Sequence, residues 1–154
     1  MRTITTCFLA SLLCFLVCQG KEPNADFTTA PGAILKLEEA YRMKDIEAAV
    51  SAKDFVSEAR VMLSDMNRGM EKDAEILKQT AEMLELSFRA EIKKNGFPDF
   101  SGLKCHFTHQ EKFKDFANIL VVTEVCTFPD GGTSTQKLLV AKTAGGWRVL
   151  NPVN

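Results

Sequence analysis

The stretch that decides the fold is residues 118–151, "NILVVTEVCTFPDGGTSTQKLLVAKTAGGWRVLN". It contains three runs rich in valine, leucine and threonine, which are typical of β-strands. "PDGG" at 129–132 and "AGG" at 144–146 separate the runs and are strong turn signals. Residues 103–113 form a fourth run of the same kind, ahead of a weaker turn at 114–117. We therefore predict a C-terminal antiparallel meander of about four strands.

Upstream of residue 96 the pattern becomes helical. Thr28 or Thr29, Asp45 and Asp54 are suitable caps for three successive helices. A fourth helix is predicted over about 71–95, with an apolar stripe at helical spacing: Leu77, Ala81, Leu84, Phe88 and Ile92. The third helix is expected to bury Phe55, Ala59, Met62, Leu63 and Met66. Helices followed by a meander predict an α+β domain.

The layout resembles exported domains of the nuclear transport factor 2-like (cystatin-like) superfamily over residues 30–151. The residues that carry the resemblance are Pro31, Leu35, Tyr41, Asp45 and the run Gly146, Trp147, Arg148 and Val149. The resemblance implies a cone-shaped domain with helices packed on a curved sheet. It also implies that Tyr41 borders the mouth of the cone. Such folds include isomerases and dehydratases as well as binding proteins, so the fold does not give the function.

The N-terminal twenty residues predict a secretory signal, since Arg2 precedes an uncharged apolar run from Ile4 to Val17. That run is too short to cross a bilayer as a helix. Lipidation at Cys18 is an alternative processing route that would give a lipid anchor. We expect a signal peptide at 1–20, a polar tether at 21–29 and one domain at 30–154, located in the periplasm, in the cell envelope or outside the cell.

Composition and motifs exclude several classes of function. The chain carries 19 basic and 20 acidic residues, and this near-neutral balance argues against a nucleic-acid partner. The phosphate-binding, dinucleotide-binding, H-E-x-x-H, C-x-x-C and G-x-S-x-G patterns do not occur in the sequence. No cofactor or metal site is predicted.

Two cysteines, Cys105 and Cys126, remain after the signal and predict a disulfide in an exported domain. A symmetric loop at 114–117 places them opposite each other. It also places Phe107, His109 and Glu124 on one sheet face, with His109 diagonal to Glu124. A His–carboxylate pair there is a candidate for general acid–base work. Together with Tyr41, these three residues form the candidate pocket.

The second turn offers an alternative for Glu124. If "PDGG" is symmetric, Glu124 faces Lys137 in an ordinary cross-strand ion pair. The other sheet face then carries Ile119, Val121, Val125, Leu138 and Val140. Two apolar faces predict that one packs on the helices and the other buries against a second subunit.

Trp147 begins the last strand after two glycines, and we expect its indole to cover the open end of the sheet rather than to stack on a ligand. The function predicted from these features is a non-catalytic binding or interaction domain of the bacterial cell envelope, with an unidentified ligand or partner. The alternatives are a small isomerase- or dehydratase-type enzyme using His109 and Glu124, and an immunity-type protein that binds another protein.

Overall fold

The computed structural model describes residues 23–66 and 69–152. The predicted signal peptide and Cys18 lie outside these residues. The helices are α1 (Ala30–Met43), α2 (Ile46–Ser51), α3 (Phe55–Asp65) and α4 (Ala74–Asn95), with a single 3-10 turn at Met70–Lys72. The strands are β1 (Lys104–Lys112), β2 (Ile119–Thr127), β3 (Thr133–Thr143) and β4 (Gly146–Pro152). They form one antiparallel sheet in chain order, which confirms the predicted α+β class and the four-stranded meander.

The helices begin where the sequence predicts a cap. The side chains of Thr29, Asp45 and Asp54 accept hydrogen bonds from backbone N–H groups in the first turns of α1, α2 and α3. Such caps satisfy donors that have no partner within the helix. Helix α4 starts at Ala74 rather than near 71, because Asp73 caps it. In the described part of the chain, no helix is long and apolar enough to span a membrane.

The first hairpin has the predicted cysteine pairing, but its loop length and strand register differ from the prediction. Its loop has five residues, 114–118, since the N–H of Phe113 donates to the carbonyl of Ile119. Lys112 therefore pairs with Leu120, one residue away from the symmetric register. A bulge at Thr108 takes up the difference, so that Cys105 faces Cys126.

The second hairpin departs from the symmetric register by one residue. The N–H of Phe128 donates to the carbonyl of Gly132 at 2.8 Å, and this leaves a loop of three residues, 129–131. Glu124 therefore pairs with Gln136, and the predicted pairing with Lys137 is wrong. Because the side-chain period of a strand is two, the slip also exchanges the faces of β3.

Helix α1 covers the sheet face that carries Val122, Leu138, Val140 and Val149. Leu138 and Val140 were expected on the other face. That other face buries a separate cluster made of Phe113, Ile119, Val121, Leu139, Ala141 and Leu150, with Val61 of α3 and Phe116 packed against it. The chain therefore covers most of that face itself, and the described residues do not present the uncovered apolar face on which a homodimer was predicted.

The outer surface of α3 also differs from the prediction. Met62 and Met66 were expected to lie on its buried side, but they are 41% and 57% exposed. Helix α3 buries Phe55 and Ala59 with Ala81 of α4. The buried apolar stripe of α3 is therefore narrower than predicted, because it does not include Met62 and Met66.

A buried polar cluster fastens the helices to the last strand. The Nζ atom of Lys53 donates to Asn151 at 2.8 Å and lies 3.4 Å from a carboxylate oxygen of Glu58. Asn151 donates its backbone and side-chain N–H groups to Glu58. Lys53 also forms an isolated parallel bridge with Val149, so the segment between α2 and α3 touches the sheet edge at one residue.

Candidate functional site

A groove of about 750 Å³ lies between the start of α1, strand β1 and the start of β4. Its walls are lined by Pro23, Thr28, Thr29, Ala30, Pro31, Leu35, Cys105, His106, Phe107, Gln110 and Trp147. The apolar side chains come from both α1 and the sheet, and the polar ones from the rim of α1 and from β1. Most ligand sites are concave and mainly apolar with a few polar groups, which is the arrangement found here.

Trp147 is half-buried and serves both the core and the groove. It packs against the main core cluster and also forms part of the groove wall. Its backbone N–H donates to the carbonyl of Phe27 at 2.8 Å, which holds the segment before α1 against β4. Gly146 permits this approach: its φ is +101°, and a side chain there would collide with Phe27. The indole therefore both covers the core, as expected, and faces a cavity.

The predicted disulfide between Cys105 and Cys126 is confirmed. Cys105 is half-buried and lines the groove, whereas Cys126 is buried at 5% exposure. One carboxylate oxygen of Glu124 and the two sulfur atoms lie within 4.8 Å of one another. The disulfide is thus in contact with the groove on one side and with a buried acid on the other.

That acid belongs to a buried carboxyl pair. Glu38 of α1 and Glu124 of β2 are 3% and 0% exposed. Arg42 donates to Oε2 of Glu38 at 2.9 Å, and Gln136 donates to Oε2 of Glu124 at 2.6 Å. If both carboxyls were ionised, the Oε1 atom of each glutamate would have no hydrogen-bond donor among the described residues.

One proton held between the two carboxyls explains how both can be buried next to each other. Burial, together with a hydrogen bond to Glu124 and the negative charge of Glu124, raises the pKa of Glu38 to about 8, although Arg42 opposes the shift. At neutral pH, Glu38 therefore keeps its proton. A protonated carboxyl is a donor, so the O–H group of Glu38 donates to Glu124. The pair thus holds a proton close to the disulfide, because Glu124 lies beside both sulfur atoms and Glu38 is hydrogen-bonded to Glu124.

The predicted His109–Glu124 dyad is not formed. The bulge at Thr108 turns His109 to the other sheet face, where it pairs with Thr123. Its side chain is 62% exposed and lies 3.7 Å from Glu111. Phe107, in contrast, is the cross-strand partner of Glu124 and does line the groove.

Tyr41 lies outside the groove, in an aromatic cluster. Its ring is 6.5 Å from Phe88, 6.2 Å from Phe97 and 6.1 Å from Phe100, measured between centroids. Burial raises the pKa of Tyr41 to about 12, so its hydroxyl stays protonated. These contacts are typical of core packing.

Glu38, the buried residue that lies against Glu124, was not predicted from the sequence. Glu38 follows Ile34 by four residues and therefore lies on the same helix face as the buried stripe of α1. An acidic residue within an apolar stripe was the available signal. The identity of its partner depended on the sheet register.

No protein-family model and no curated protein matches the chain. Among solved structures, it is similar to a Campylobacter jejuni protein provisionally named as a nuclear transport factor 2-like transpeptidase, with 15% identity and a TM-score of 0.38. The match covers 80% of this chain and 99% of that chain. Its name is that of the superfamily which the sequence resembles, but a similarity of this size carries no argument about what this chain binds or catalyses.

Proposed function

We propose that this chain is an exported, non-catalytic binding domain of the bacterial cell envelope, which holds a partly apolar ligand in the groove between α1 and β1. The observation that carries the proposal is the groove itself. Four apolar side chains, those of Pro31, Leu35, Phe107 and Trp147, line a space of about 750 Å³. A space of this size accommodates a small molecule or a few side chains of a protein partner.

The enzyme alternative loses its main support. A small isomerase or dehydratase was expected to use His109 beside Glu124, but the two residues lie on opposite sheet faces. Glu38 and Glu124 are each at most 3% exposed and do not line the groove. A substrate in the groove would therefore not touch either carboxyl in the described conformation.

Export is part of the proposal. The disulfide supports it, because disulfides persist in oxidising compartments and are rare in the cytosol. The apolar leader with Arg2 supports it from the sequence. We expect the intact mass of the protein from its native host to correspond to a chain starting near Lys21, or to a lipidated chain starting at Cys18. Recovery of the full-length chain would contradict export.

A ligand-retention experiment tests the binding role. The mature protein is purified from its host envelope, and the compounds that it carries are identified by untargeted mass spectrometry. We expect a ligand to be retained by the wild type and by Leu86→Glu, and lost from Leu35→Glu. Leu35 lines the groove, whereas Leu86 is 66% exposed on α4 and serves as the matched control.

The result that would overturn the proposal is equal retention by all three proteins, or retention by none. A copurified protein that is lost only from Leu35→Glu would assign the same groove to an immunity-type interaction. In that case the groove remains the binding site, and the ligand is a protein segment.

A further inference from the structure

We propose that the Cys105–Cys126 disulfide is a reactive site that exchanges with thiol compounds entering the groove. In this proposal Cys105 is the attacked sulfur, Cys126 is the leaving sulfur, and the Glu38–Glu124 pair supplies the proton that Cys126 takes up. The site is distinct from the proposed binding role, because exchange requires a thiol in the groove but no retained ligand.

The first supporting observation is the unequal access to the two sulfurs. Cys105 lines the groove, while Cys126 is 5% exposed. An attacking thiolate approaches a disulfide along the line of the S–S bond. Because the two cysteines are cross-strand partners, that line runs from β2 to β1. Strand β1 is at the edge of the sheet, so no strand of the described residues blocks the approach to Cys105.

The second observation is the acid beside the leaving group. Glu124 precedes Cys126 by two residues on β2, so both side chains point to the same sheet face. The carboxylate oxygen of Glu124 and both sulfur atoms lie within 4.8 Å of one another. A buried thiolate is costly unless it is paired or protonated. A proton donor at this place therefore lowers the cost of breaking the bond from the groove side.

The proton affinity of the pair fits this role. Burial raises the pKa of Glu38 to about 8, and an ordinary cysteine thiol has a pKa of about 8.5. Proton transfer from the pair to Cys126 is therefore close to balanced. The other groups that face the pair are Arg42 on α1, which stabilises the ionised state, and Gln136 on β3, which is neutral.

The exchange balances in two steps. A thiolate, RS⁻, forms a bond to Sγ of Cys105 while the S–S bond breaks, and the electron pair goes to Sγ of Cys126. Cys126 then takes the proton of the carboxyl pair, leaving both carboxyls ionised. A second thiolate attacks the mixed disulfide at the sulfur of R and releases RSSR and the thiolate of Cys105. Two thiols are oxidised, and the protein disulfide is reduced to a dithiol.

The test uses the oxidised mature protein and reduced glutathione at pH 7. Samples are quenched with an alkylating reagent, and the modified cysteine is located by peptide mass spectrometry. We expect a mixed disulfide on Cys105 and not on Cys126. We also expect the native protein to react at least as fast as the same protein unfolded in urea, although folding shields most structural disulfides.

The role of the acid pair is tested by Glu124→Gln, with Glu111→Gln on β1 as the exposed control. We expect the exchange rate to fall about tenfold or more in Glu124→Gln, in the range found for the loss of one acid–base group, and to stay unchanged in Glu111→Gln. If Glu124→Gln does not fold, Glu38→Gln removes the shared proton from the other side. Native exchange ten times slower than in urea, modification at Cys126, or an equal rate in all variants would overturn the proposal.

Discussion

This domain contains two buried polar clusters, and their charges are balanced in different ways. In the cluster of Lys53, Glu58 and Asn151, one positive and one negative group meet, and an amide contacts both. In the pair of Glu38 and Glu124 two acids meet, and if both were ionised each would keep an oxygen with no donor among the described residues. Both clusters join a helix to the sheet, but only the first pairs a positive side chain with a negative one.

The difference separates a structural cluster from a candidate functional one. Buried charges are tolerated when they are paired and hydrogen-bonded, and a pair of opposite charges meets that need with the chain's own atoms. Two neighbouring buried acids meet that need only if one of them keeps its proton. A group with a strongly shifted pKa beside a cavity is a candidate for chemistry. The acid pair lies behind the wall of a groove, next to a disulfide, and so fits that description.

The largest expected effect comes from breaking the charge-paired cluster. Lys53→Met leaves Glu58 buried without its cation, and we expect a loss of about 3–5 kcal/mol in the free energy of unfolding. The double variant Lys53→Met with Glu58→Gln removes both charges and should recover part of that loss. Urea denaturation at pH 7 measures both values. A loss below 1 kcal/mol in the single variant would show that the cluster is not charge-dependent.

The next effect is a pH dependence that belongs to the acid pair. The pKa of Glu38 is raised in the folded state, so its contribution to stability is fully present below pH 4.5 and is lost as the pH rises through about 8. The slope is at most about 1.4 kcal/mol per pH unit. Glu38→Gln should be flatter than the wild type between pH 5 and pH 8. Parallel curves from denaturation at several pH values would contradict this.

The smallest effect compares the two amides. Asn151 contacts both charges of its cluster, and Asn151→Ala should cost about 1.5–3 kcal/mol, as for hydrogen bonds to charged groups. Gln136 is exposed and donates a single side-chain hydrogen bond within the described residues, to Glu124, so Gln136→Ala should cost less, about 1 kcal/mol. Thermal denaturation of the two variants at pH 6 checks the order. The reverse order would mean that the acid pair depends on Gln136 more than on its proton.

The helices and strands and their order along the chain could be predicted from the sequence. Capping residues such as Asp45 and Asp54 mark helix starts through local hydrogen bonds, and the 129–132 and 144–146 turns mark the hairpins. These are short-range signals, so one sequence contains them. The Cys105–Cys126 pairing was also predicted, although its route through a bulge was not.

The residue partners of the site could not be predicted in the same way. The first hairpin loop has five residues and the second has three, where a symmetric four-residue loop was expected in each. One residue of slip reverses the faces of a strand. The bulge at Thr108 kept Cys105 in place but moved His109 to the other side. The meeting of Glu38 with Glu124 depends on how α1 lies across the sheet, which no local pattern contains.

The claim on which this account depends is that Glu38 and Glu124 hold one proton between them at neutral pH. Carbon-13 NMR of the glutamate side-chain carboxyls, followed from pH 4 to pH 10, measures this directly. Glu38→Gln and Glu124→Gln assign the two signals. We predict that one carboxyl of the pair titrates near pH 8 and that this titration disappears in Glu38→Gln. In Glu124→Gln it should move to lower pH, where burial still raises the pKa of Glu38. Ionisation of every glutamate below pH 6 would contradict the account.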